Sequence, residues 1–277
     1  MKCRKKKIKI IIGMALVFTV FGGGIIACRS RAEPEVKAPV LVTEYVSVPS
    51  YTGRVISAVQ PQSVDDDYMD SLMSRMLEMY NEVRGMDYES WTDEQVDYTT
   101  QGRYTSEEEW RDYLQEKYRD VEQEQAKDDT AQLILSEIVS ETELTGYDEG
   151  DYAVAREAVA GQLVYGNGFT SKEELLEGLE LSEKEYDDMV NEYAKESLKY
   201  DYVTSAIAEA EGLEPTEDEM TQAEEEHMAG VLEMGYTETD AYYQEELEHW
   251  KEEKEEYSLF LMSENVRDFL YENNDIK

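Results

Sequence analysis

"YVTSAIAEAEGLEPTEDEM" (Tyr202–Met220) contains two helical patterns and the joint between them. The first pattern runs into Gly212-Leu213. Gly212 can take the left-handed backbone conformation that stops a helix, and Leu213 can fold back as the accompanying apolar contact. Pro215 then restricts the chain, and Thr216 with Glu219 has the spacing of a capping box that starts a second helix. The stretch therefore reads as a tight helix–helix elbow. It lacks the D-x-[DN]-x-[DN]-G order of a calcium-binding loop.

Helical spacing extends outward on both sides. "SEKEYDDMVNEYAKESLKYDYVTSAIAEAEGL" starts on a second capping box, Ser182 with Glu185, and "DEGDYAVAREAVAGQLVYGNG" is a helix ended by Gly166-Asn167-Gly168. A long helix is expected from about Ser106 to Glu143, with a capping box at Ser106 and Glu109 and a break near Asp128-Asp129. Its stripes are Trp110, Leu114, Tyr118 and Val121, then Leu133, Ile134, Ile138 and Val139. Gly146 is expected to end it. "SVDDDYMDSLMSRMLEMYNEV" is a helix with Ser63 as N-cap, Tyr68, Leu72, Met76 and Met79 at helical spacing, and Gly85 as its stop. A small helix is expected at "TDEQV", and one final helical segment from about Glu238 to Asn273. The strand signal lies in Val40–Val59, rich in β-branched residues and Tyr, which predicts one or two short strands. The fold class is mainly α: a multi-helix body with a short N-terminal β piece.

Lys and Arg number 26 against 65 Asp and Glu, a net charge of −39 in 277 residues. The first 27 residues hold six of the cations and no acid, so the remainder is more acidic still. Such a surface repels phosphate backbones, which argues against nucleic acid as a partner. The 21 Tyr, 12 Met and regular apolar spacing argue against a disordered chain.

"MKCRKKKIKIIIGMALVFTVFGGGIIAC" (Met1–Cys28) has a cationic start and an apolar run from Ile10 to Ala27, close to the ~20 residues that span a bilayer. Small residues then precede a cysteine, which resembles the lipobox of bacterial lipoprotein signal peptides. The resemblance implies a signal peptide over 1–27, lipid attached at Cys28, and a location on the extracytoplasmic face of the cell membrane. An uncleaved signal anchor is the second reading, with the same topology. Residues 28–39 read as a flexible tether and 40–277 as the folded part, extended over 40–62 and helical over 63–277. Cys3 and Cys28 are the two cysteines, so the folded part has no disulfide and rests on packing alone.

"LKYDYVTSAIAEAEGLEPTEDEM", "GYTETDAYY" and "SENVRDFLYENNDIK" together resemble the C-terminal arm region of trigger factor. Ile207, Ala208, Glu211, Gly212, Leu213, Thr216, Asp218 and Glu219 match that family's helix joint. Val266, Phe269, Leu270, Glu272 and Asn273 match its last helix. A weaker similarity reaches forward to Val40. The resemblance implies an extended chaperone-arm architecture. It further implies a chaperone that binds unfolded or nascent exported polypeptides without covalent chemistry. The family's prolyl isomerase domain would fall between the Ser63–Val83 helix and Trp91, where only "RGMDYESW" stands, too short for a β-sheet domain. A surviving prolyl isomerase is the enzymatic alternative. A structural or adaptor lipoprotein with one dedicated partner is the other.

No catalytic residues, cofactor or metal site are expected. His227 and His249 are too far apart in sequence for a local metal motif, and no phosphate loop or nucleophile motif is present. "YDEGDY" (Tyr147–Tyr152) reads as a solvated turn more readily than as a loose cation site. Met69, Met73, Met76 and Met79 share one helix, where core packing competes with client contact. Met suits surfaces that accept many sequences. Met69, Met73 and Met76, with Tyr242, Tyr243, Trp250 and Tyr257, are the candidate client-binding residues.

Overall fold

The computed structural model describes residues 41–234 and 236–277. The expected signal peptide, Cys28 and the tether lie outside the described residues. In chain order the elements are β1 (Leu41–Val42), β2 (Val46–Val48), β3 (Val55–Ile56), α1 (Asp66–Arg84), α2 (Asp93–Thr99), α3 (Glu107–Glu141) and β4 (Glu143–Leu144). There follow α4 (Glu149–Tyr165), α5 (Lys172–Gly178), α6 (Glu183–Glu211), α7 (Glu217–Glu233), α8 (Ala241–Glu252), α9 (Lys254–Glu272) and β5 (Asp275–Ile276). The described chain is mainly helical, with a few short strands. It divides into two compact units.

One unit holds residues 41–54 and Ile134–Asn274. Its centre is α6, whose buried stripe Tyr186, Val190, Ala194 and Leu198 follows helical spacing. Ala155, Val159 and Leu163 of α4 pack along it, the alanines allowing close approach. From α9, Val266 and Leu270 are fully buried. The two capping boxes of this unit form as expected. Ser182 N donates to Glu185 Oε2 at 2.8 Å and Glu185 N to Ser182 Oγ at 3.3 Å, while Thr216 and Glu219 repeat the exchange. Gly212 sits at φ 70°, ψ 40°, and Leu213 N donates to Ala208 O at 2.9 Å, the bond that closes a left-handed helix stop. Asn265 of α9 donates to Leu213 O at 3.3 Å, and Tyr51 Oη donates to Glu211 Oε1 at 2.6 Å. The elbow is thus held from two sides.

The same unit contains the antiparallel sheet β1-β2-β4, with Val46 opposite Leu144. Val46 and Val48 are fully buried while Ser47 is not, the alternation of a one-sided strand. Here the sequence reading needs correction. The long helix stops at Glu141, short of Gly146, because Glu143-Leu144 peel off to pair with the open edge of β2. Thr142 Oγ1 donates back to Ile138 O at 2.8 Å at the point of departure. No break occurs at Asp128-Asp129, since both side chains point to solvent and the helix around them is undisturbed. In the second stripe, Leu135 is buried where Leu133 was expected, and Leu133 is 38 % exposed. The final helical segment is two helices, parted at Glu253.

The other unit holds Val55–Leu133 and Asp275–Lys277. Its two strands, β3 and β5, pair in parallel, with Val55 opposite Asp275. Neither β4 nor β5 was expected from the sequence. The core of this unit is built by α1, α2 and the first part of α3.

Candidate functional site

Helix α1 begins two residues later than its sequence suggested. Asp65, not Ser63, is the N-cap, and its carboxylate accepts from Tyr68 N at 3.1 Å. Gly85, left-handed at φ 64°, ends it, and Met86 N donates to Asn81 O at 2.9 Å. Residues 85–91 make a short connection pinned by Asn81, whose side chain brackets the backbone of Tyr88 at 2.9 and 3.1 Å. Thr92 and Gln95 then form a capping box that starts α2. The start of α3 is capped with a shift: Ser106 Oγ accepts from Glu109 N, but the Glu109 carboxylate reaches back to Thr105.

These termini set α1, α2 and α3 around one cluster containing Met69, Leu72, Met73, Leu77, Trp91 and Trp110. Trp91 Nε1 is buried and donates to Met73 O at 3.0 Å, so its polar atom carries no desolvation penalty. The two indoles meet edge to face with centroids 4.9 Å apart, and Tyr80 lies 5.4 Å from Trp91.

Above this aromatic floor is a cavity of ≈ 540 Å³. Met76, Met79, Tyr80 and Val83 of α1 form one wall, and Tyr98, Thr99 and Gln101 at the end of α2 form the other. Val83 is 81 % exposed, Met79 66 % and Tyr98 58 %, so these apolar groups are presented to water. Contiguous exposed apolar surface of this kind commonly marks a binding site. Arg84, the last residue of α1, is the one charged residue lining the cavity. Its guanidinium lies 4.7 Å from the Tyr98 ring centroid and 5.7 Å from that of Tyr80. The Tyr98 phenol beside it pushes its pKa up further, so it stays charged.

Met76 is the one candidate from the sequence that lines this cavity. Met69 is fully buried and Met73 nearly so, both packed in the core beneath. In this arrangement they offer no surface, a correction that follows from the inward-facing stripe they occupy. Val83, Arg84, Tyr98 and the indole floor were not singled out beforehand. The available signal was that Met79 and Val83 extend the apolar positions of α1 beyond the width of one core face.

Tyr242, Tyr243, Trp250 and Tyr257 belong to α8 and α9 of the other unit. Tyr242 is exposed and rests on Tyr236, with centroids 4.5 Å apart, and Tyr243 is half-buried. Trp250 is buried, stacked on Tyr257 at 3.8 Å and beside His227 at 5.3 Å. It is therefore a packing residue of the α7–α8–α9 group. His227 Nε2 lies 3.4 Å from Glu246 Oε2, close enough to attract a protonated imidazole but not aligned as a hydrogen bond.

The turn "YDEGDY" is explained locally. Asp148 caps α4 by accepting from Gly150 N and Asp151 N, and Tyr202 Oη accepts from Asp148 N at 3.2 Å while donating to Asp151 Oδ2 at 3.0 Å. Burial raises the pKa of Asp151, opposed by the Tyr202 hydrogen bond. Asp201 of α6 is raised well above the usual carboxylate range, by burial first and by the charge of Asp151 second. Its Oδ2 is sealed from solvent with no hydrogen-bond partner. Among the described residues no group of three or more His, Cys, Asp or Glu side chains could hold a metal ion, and no helix is long and apolar enough to cross a membrane. No protein-family model matches the chain, and no curated protein matches it either.

Proposed function

We propose that this chain is a membrane-anchored extracytoplasmic chaperone of the trigger factor type, holding unfolded segments of exported polypeptides without covalent chemistry. The observation that supports it is the open cavity over Trp91 and Trp110, with Met76, Met79, Val83 and Tyr98 turned toward water. Burying one Leu- or Phe-sized side chain is worth about 1.5–3 kcal/mol. Millimolar binding requires about 4.1 kcal/mol, so one such contact is weak and reversible. Holding a client calls for that weakness, because the client must leave to fold. Flexible methionines and broad aromatic rings suit varied sequences. The acidic exterior keeps complexes soluble and draws basic clients at long range.

The test is suppression of aggregation of a reduced, unfolded protein by the purified chain. Suppression at equimolar ratio is expected, and its absence would overturn the reading. A pull-down that returned a single stoichiometric partner would point to the adaptor alternative instead.

A further inference from the structure

We infer that the cavity prefers an apolar side chain neighbouring an Asp or Glu in the bound polypeptide, and that Arg84 is the partner of that carboxylate. The inference rests on the cavity being a client site and adds a chemical preference to it. Its starting point is how differently Arg84 is held from other cations of the chain. Arg54 meets Glu141 at 2.9 Å, Arg111 meets Asp70 at 2.6 Å, and Lys172 meets Glu183 at 2.8 Å. Arg84 lies against rings instead, those of Tyr80 and Tyr98.

A cation at the end of a helix has an ordinary explanation in the helix dipole. That explanation covers the charge but not its placement. The end of α1 is already closed by Gly85 and Met86, whose N–H groups take the carbonyls of Glu82 and Asn81. The guanidinium instead lies over the Tyr98 ring on the cavity wall. Contact with the two rings restricts the side chain and lowers the entropy lost on forming paired hydrogen bonds with a carboxylate.

The chain's net charge works in the opposite direction at long range, but screening limits it. The Debye length is ~8 Å at physiological salt, so distant carboxylates of the protein are damped while a carboxylate in contact with Arg84 is not. Net charge thus governs encounter, and Arg84 governs what stays.

The experiment uses the folded chain and three labelled peptides identical except at one position, reading Phe-Leu-Glu, Phe-Leu-Gln or Phe-Leu-Lys in a neutral background. Fluorescence anisotropy should show the Glu peptide binding roughly tenfold tighter than the Gln peptide, as for one charge-assisted pair. Arg84→Gln should erase that difference, so that the Glu and Gln peptides bind alike. Val83→Glu should weaken the Gln peptide too, reporting on the apolar wall. Equal affinity for the Glu and Gln peptides, or tighter binding of the Lys peptide, overturns the role of Arg84 and leaves the client-binding reading standing. Failure of all three peptides to bind overturns both.

Discussion

Trp91 and Trp110 stand at 89° to each other, edge to face, with the Trp91 indole nitrogen tied to the backbone of Met73. One side of this pair belongs to the core and the other forms the floor of the cavity. Core stability and the shape of the apolar surface are therefore coupled in the unit of α1, α2 and α3. Trp91→Ala should cost about 3–5 kcal/mol in denaturant unfolding. A double-mutant cycle with Trp110→Leu should give a coupling of about 0.5–1.5 kcal/mol. Additive losses would show that the edge-to-face contact contributes nothing beyond area.

The methionines of α1 should separate by face. Met69→Ala, at a fully buried position, should cost about 2–5 kcal/mol. Met79→Ser and Val83→Ser, at exposed positions, should change stability by less than about 0.5 kcal/mol. The same two exposed variants should lose much of the aggregation-suppressing activity. Full activity in the Met79→Ser/Val83→Ser double variant would detach the cavity from client binding.

The elbow should respond to local changes as its geometry dictates. Gly212 is left-handed with open space where a Cβ would stand, so Gly212→Ala meets no clash and loses only backbone energy, about 1–2 kcal/mol. Thr216→Ala removes one half of a capping box and should cost about 1 kcal/mol. Thermal melts of the two variants provide the comparison. A neutral Gly212→Ala would mean that the joint is held by Tyr51 and Asn265 alone.

Asp201 predicts an unusual pH dependence. Burial raises its pKa in the folded protein above the value in the unfolded chain. Its contribution to stability is then complete below the ordinary carboxylate range and is lost as pH rises through the raised folded value. Asp201→Asn removes that loss. The variant should match the parent near pH 4 and exceed it in denaturation midpoint at pH 8. A variant less stable than the parent at pH 8 would show that the ionised carboxylate is paired.

The elements legible in the sequence are those whose signals are local. Ser182 and Glu185, Thr216 and Glu219, Gly85 and Gly212 each act within one turn of chain, and each performs the expected capping role. The two unforeseen strands are two residues long, and their partners are remote: Glu143-Leu144 meets β2, and Asp275-Ile276 meets β3. Nothing within either pair of residues signals that pairing. The cavity was legible only in part. Met76 is a candidate the sequence offers, but Val83 and Arg84 read as an ordinary helix end until Tyr98 and the indoles are set opposite them.

What the sequence determined by itself is a mainly helical chain, where most of its helices start and stop, and a strongly acidic surface. Composition and capping act over a few residues, so they need no knowledge of distant neighbours. Tertiary structure decided which side of each apolar stripe is covered. Leu133 and Leu135 both lie on α3, as Met73 and Met79 both lie on α1, yet one of each pair is buried and the other exposed. Helical periodicity leaves the edges of a stripe ambiguous, and only the helices packed against it settle which side chains meet water.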